Sequence, residues 1–182
     1  MKKFIFAMMF CLAAVCGVQA QENPMKFNGL VVEYAGDNAQ AKEAAAALQA
    51  VMPEVAKVFG MVVDRDYVAI DYSGEVTFVS GENGEKKTTG QIFGFDQGDV
   101  ISLAVSMDFK GKGYDLNVAI KANEDKKGAT LVFNNQEVVT AVSGVMPNAA
   151  DHEALMKVYN TISQYPDIKL GMSVKVDLAS MM

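Results

Sequence analysis

Beyond Ala20 the chain contains no cysteine; its only two, Cys11 and Cys16, fall inside an N-terminal segment that reads as an export signal. With that segment removed, the chain has no disulfide, no thiolate nucleophile and no cysteine metal site. Export normally permits disulfides, so stability here is expected to come from packing alone. Histidine and arginine are equally scarce, with His152 and Arg65 the sole examples. Acidic residues outnumber basic ones by 22 to 16, a formal charge of −6. A negative surface with a single guanidinium disfavours nucleic acid as a partner. Loss of Lys2 and Lys3 with the signal makes the balance more negative still.

What is present begins with that signal. Lys2 and Lys3 give a positive start, Phe4 to Val18 form an uncharged apolar run, and Val18-Gln19-Ala20 offers a cleavage site before Gln21. The run falls short of the about 20 apolar residues that span a bilayer, so stable membrane insertion is not expected. Acylation of Cys16 is the competing reading, and Val15 before it fits a lipoprotein signal poorly. Residues 1–20 are thus expected to be removed, leaving a periplasmic or secreted domain of roughly 160 residues, enough for one sizeable core.

Within 21–182 a single domain is expected, mainly β with accessory helices. Residues 21–27 read as a polar leader, and Leu30 to Tyr34 as a first strand. An alanine-rich helix follows, with Leu48, Val51, Met52, Val55 and Phe59 at helical spacing. Pro53 implies a kink there, or two short helices. The period then changes to two. Tyr67 to Tyr72 and Glu75 to Ser80 read as a hairpin through Ser73-Gly74. Gly81 to Gly90 reads as a polar loop, Gln91 to Phe95 as a strand, and Asp96 to Asp99 as a turn. Alternation is clearest in Ile101, Leu103, Val105, Met107 and Phe109, and again in Tyr114, Leu116, Val118 and Ile120. Lys110 to Gly113 turns the chain between them, and Asn123 to Gly128 turns it into Ala129 to Phe133. Two helices are expected next, capped by Asn135 and Asn148 and broken by Pro147 and Pro166. Ile168, Leu170, Met172, Val174 and Val176 then alternate in a last strand. Strict alternation gives one wet and one dry face, the mark of antiparallel sheet. Eight strand candidates match the number at which a small antiparallel barrel closes.

This plan resembles an uncharacterised family of lipocalin-like secreted proteins from Gram-negative gut bacteria. The resemblance is carried by the strand Gly29 to Tyr34 leading into the alanine-rich helix, and by the central β-meander. It is carried also by Leu155-Met156-Lys157-Val158-Tyr159 and Tyr165-Pro166-Asp167-Ile168-Lys169-Leu170-Gly171-Met172. It implies an eight-stranded lipocalin-like barrel with an N-terminal helical segment and a helical pair before the last strand. The chain has no tryptophan, so the Gly-x-Trp motif of better-known lipocalins is absent.

No catalytic constellation stands out. His152 lies between Asp151 and Glu153, but adjacent helical positions point in different directions and do not converge on one metal. Asp64, Asp66 and Asp71, or Asp96 and Asp99, lack calcium-loop spacing and read as acidic turns. Gly81 to Gly90, with Lys86 and Lys87, lacks the following helix of a phosphate loop. With one histidine and no Gly-x-Ser-x-Gly elbow, an enzyme is disfavoured. No metal or other cofactor is expected. The inward-facing side chains remain, and Leu103, Val105, Met107, Leu116, Val118 and Met172 are the candidate ligand-binding residues. Two readings stand: an exported, non-enzymatic protein holding a small hydrophobic ligand inside a barrel, or a solid barrel serving as a structural or protein-interaction module of the cell envelope.

Overall fold

A computed structural model describes residues 25–70, 73–80, 86–97, 101–109, 112–123, 127–148 and 152–176; the expected signal at 1–20 lies outside them. Period-2 alternation rolls the chain into eight strands: β1 (Met25–Glu33), β2 (Tyr67–Ile70), β3 (Glu75–Ser80), β4 (Lys86–Gln97), β5 (Ile101–Phe109), β6 (Lys112–Ala122), β7 (Gly128–Phe133) and β8 (Lys169–Val176). Each pairs antiparallel with its sequence neighbour, and β8 returns to β1 to close the barrel. That closing ladder runs from Met25↔Val176 to Glu33↔Lys169. Closure leaves the sheet no outer strand, which is how small barrels remove the edge problem.

Among the described residues three helices accompany the strands: α1 (Ala39–Val58) between β1 and β2, then α2 (Asn135–Val145) and α3 (His152–Gln164) between β7 and β8. A 3₁₀ turn, Met146–Asn148, follows α2. On α1, Ala41, Ala45, Leu48, Met52 and Val55 are buried at three- and four-residue steps, the stripe that a helix lays on a core. Ala154, Leu155, Val158 and Ile162 do the same for α3. Both stripes pack with Ile168 and Leu170, and with Leu30 and Val32 of β1. Farther along the same face of β8, Met172 and Val174 join the barrel interior beside Val105 and Val76. One strand face thus feeds both cores, so the helices close one end of the barrel.

Several boundaries differ from those read in the sequence. Met25 and Phe27 belong to β1 rather than to a leader, and both are buried. β1 carries a bulge between Phe27 and Gly29, where Gly29 takes φ 128°, a region open to glycine. The expected loop at Gly81 to Gly90 is strand from Lys86 onward, because β3 pairs with it in register from Ser80↔Lys86 to Glu75↔Gln91. Asp96 and Gln97 likewise extend β4 against Ser102 and Ile101 instead of turning. β6 begins at Lys112, inside the expected turn. α1 is one continuous helix with Pro53 inside it. Asn134, not Asn135, caps α2, its side chain accepting from the Gln136 amide at 2.9 Å. Asn135 instead donates to the Pro166 and Ile168 carbonyls at 2.8 and 2.7 Å, tying α2 to the start of β8. Asn148 sits in the 3₁₀ turn. Asp71, Asp99 and Asp151 lie outside the described residues.

Candidate functional site: the barrel cavity

The apolar faces of the strands meet around a half-enclosed cavity of about 320 Å³. Leu103, Val105, Met107, Leu116, Val118 and Met172 all line it, so the structure brings together every residue read from the sequence as a ligand-binding candidate. Register explains their convergence. Leu103 faces Val118, Val105 faces Leu116, and Met107 faces Tyr114 across the β5–β6 ladder. Met172 faces Leu30 on one side and Leu131 on the other. Val105 and Val118 are buried, whereas Leu103, Met107, Leu116 and Met172 keep partial exposure, as expected of side chains bordering open volume. The side chains of Ile101 and Phe109 lie outside the described ones.

The cavity also reaches beyond the strands. Met52 and Val55 of α1 with its C-cap Phe59, and Val138, Ala141 and Val142 of α2, form its helical wall. Sequence periodicity marks most of these as helix faces, but not as walls shared with a barrel. Beside Met107 in the β4–β5 ladder, Gly90 permits a close approach of the two strands: a Cβ there would collide with the Ser106 carbonyl and the Met107 sulfur. Among the described lining side chains, the only hydroxyl is that of Tyr114 and none is charged. The site therefore offers burial and shape, with little directional bonding.

Comparison with known proteins finds no matching family model, curated protein or solved structure. What the site can do rests on its own geometry.

Two seams show how the helical wall is fixed. β1 meets β2 at Met25↔Val68 and Lys26↔Tyr67 and then parts from it. Past that point the Gln49 side chain of α1 takes over, accepting from the Val32 amide at 2.7 Å and donating to the Leu30 carbonyl at 3.1 Å. A side-chain amide thus occupies the place of a neighbouring strand. On the other side, β7 ends at Phe133 opposite Val118. One residue farther, Glu137 of α2 accepts from the Asn117 backbone amide and from its side-chain nitrogen, each at 2.6 Å. Both helices are docked where strand pairing runs out, which answers the demand that backbone polar groups find partners.

The acidic connection before β2 is structural in the same way. Asp66 is 1% exposed, and its carboxylate accepts from the Val62 amide at 2.6 Å and from Arg65 Nε at 3.0 Å. Asp64 pairs with Lys175 at 2.7 Å, and the backbone at 64 and 66 bonds to Phe27 at 2.8 Å on both sides. These groups are occupied in holding the end of α1 to β1. His152 and Glu153 lie at the start of α3, exposed and away from the cavity.

Proposed function

We propose that this protein is a non-enzymatic, exported, lipocalin-like carrier that holds one small hydrophobic ligand in the barrel interior. The observation that supports this reading is the continuous apolar cavity of about 320 Å³ running from the strands to the underside of the helices. It falls at the lower end of the 300–1,000 Å³ range of ligand pockets. It is also about twice the ~150 Å³ of a dry cavity that admits benzene. A fused aromatic or a medium-length acyl chain suits that space. Methionines at Met25, Met52, Met61, Met107 and Met172 line it, and their unbranched thioethers adapt to ligands of irregular outline. A solid barrel would leave no such volume at the junction of its two cores.

The outward positions suit water rather than lipid. Asp115, Asn117, Lys121 and Lys175 are exposed on the outer faces of their strands, whereas a membrane barrel needs an apolar outer band. No helix among the described residues is long and apolar enough to cross a membrane.

Protein purified from its native envelope, analysed by native mass spectrometry and solvent extraction, is expected to release a small apolar molecule. Recombinant protein is expected to bind a hydrophobic fluorescent dye at a single site, displaceable by aliphatic or aromatic competitors. Folded protein that binds no dye, no acyl chain and no aromatic would refute the carrier and leave the interaction module.

A further inference from the structure

A second concave site lies on the helical pair, apart from the barrel cavity. Its walls are Ser143, Met146, Pro147, His152, Met156 and Tyr159. His152, Met156 and Tyr159 stand four and three residues apart on α3, so they share one face, beside the buried stripe of Leu155 and Val158. The 3₁₀ turn after α2 carries Met146 into the same depression. Exposure here is unusual for the residue types: Met156 is 41% and Tyr159 37% exposed, among the most exposed large apolar side chains described. Among the described residues, no hydrogen bond or ion pair engages His152. The one imidazole of the chain therefore lies among two thioethers and a ring in a solvent-facing hollow.

Thioether sulfur is a poor ligand for hard cations and a good one for copper(I), which imidazole also binds. A pair of ligands at i and i+4 on one helix face spans about 5–6 Å between Cβ atoms and closes readily on a single ion, the spacing that paired histidines use for zinc. Among the described residues no carboxylate lines the hollow, which favours a soft cation over calcium or magnesium. Glu153, the next residue along α3, points to a different side of the helix, whereas Met156, four residues on from His152, shares its face. We propose that His152, Met156 and Met146 form a surface copper(I) site on the helical pair, with the Tyr159 ring as its side wall.

The test is anaerobic titration of the full folded protein against a coloured copper(I)–bicinchoninate complex. Wild type should withdraw a single equivalent of copper(I). His152→Ala and Met156→Leu should each weaken retention by about tenfold or more, the usual scale for losing support at a metal site. Glu153→Gln should retain copper as wild type does. Met156→Leu conserves volume at a partly exposed position, so its melting temperature without copper should match wild type and separate ligand loss from misfolding. Copper(I) left with the competitor by wild type would overturn the proposal. So would equal retention by wild type, His152→Ala and Met156→Leu, or a loss in Glu153→Gln as large as in His152→Ala.

Discussion

Val105→Phe distinguishes a hollow barrel from a filled one without any knowledge of the ligand. Val105 is 5% exposed, stands between Ile92 and Leu116 in register, and borders the cavity of about 320 Å³. In a filled core the extra ring atoms would force neighbours off their rotamers, at about 1–3 kcal/mol. Beside open volume the ring enters space already present. Cavity filling typically contributes about 0.5–2 kcal/mol, fed by apolar area removed from water. The two cases therefore differ in sign. For a chain of this size each kcal/mol moves the melting temperature by about 2–4 °C. The hollow barrel predicts a rise of a few degrees, and the filled one a fall of roughly 2–12 °C. Urea unfolding with an unchanged slope would confirm that the native state, rather than the compactness of the unfolded chain, is what changed. The same substitution should weaken dye binding by tenfold or more, because the ring occupies the binding volume. A destabilised Val105→Phe protein that binds dye as well as wild type would refute both the cavity and its use.

Val105→Glu and Ser106→Lys should behave oppositely: the first buries a carboxylate without a partner and should cost about 3–5 kcal/mol. The second places a cation opposite Asp115 and beside Gln91 on the outer face, and should change stability by about 0.5 kcal/mol or less in chemical denaturation. Asp66→Ala should cost about 1–3 kcal/mol by removing the carboxylate that the part-buried Val62 amide and Arg65 Nε donate to, and hydrogen exchange at Val62 should accelerate well beyond that in β5. Leu48→Ala, at a fully buried site between α1 and α3, should cost about 3–4 kcal/mol by calorimetry.

Strand number and closure were legible because β5, β6 and β8 alternate without interruption, and period two fixes which side chains share a face. Boundaries were hidden wherever pairing outweighed local chemistry. Lys86 to Thr89 carry no apolar alternation, yet β3 imposes strand geometry on them through its backbone ladder. Phe93 breaks the pattern in the opposite way: it is 64% exposed because a bulge between Ile92 and Gly94 inserts one extra residue. The six cavity residues could be assigned to one face, but alternation carries no information on whether that face meets another side chain or empty volume. The parts played by Gln49, Glu137 and Asp66 depend on where neighbouring strands stop, which is a tertiary fact. His152 illustrates the same limit, since its adjacent acids are visible in the sequence while the hollow it shares with Met146 depends on how the helical pair turns.

The ladder that closes the ring joins the first described strand to the last, and this orders the events of folding. The pairs from β2 to β7 form between near neighbours, and β1–β2 and β7–β8 bridge only the intervening helices, but Met25 cannot meet Val176 until nearly the whole domain exists. The entropy of closing so long a loop grows only slowly with its length, by about 0.6 kcal/mol per doubling. Its kinetic effect is larger, because non-local pairing comes late and slows the reaction. Until then β1 and β8 each present an unpaired edge, the condition under which partly folded chains associate with one another. The nine-residue β1 waits longest for its second partner, and α1 directly after it can shield one of its edges early through Gln49, a contact between residues only 17 apart. The helix that walls the cavity in the finished barrel thus also serves as a local guard for a strand awaiting its distant partner.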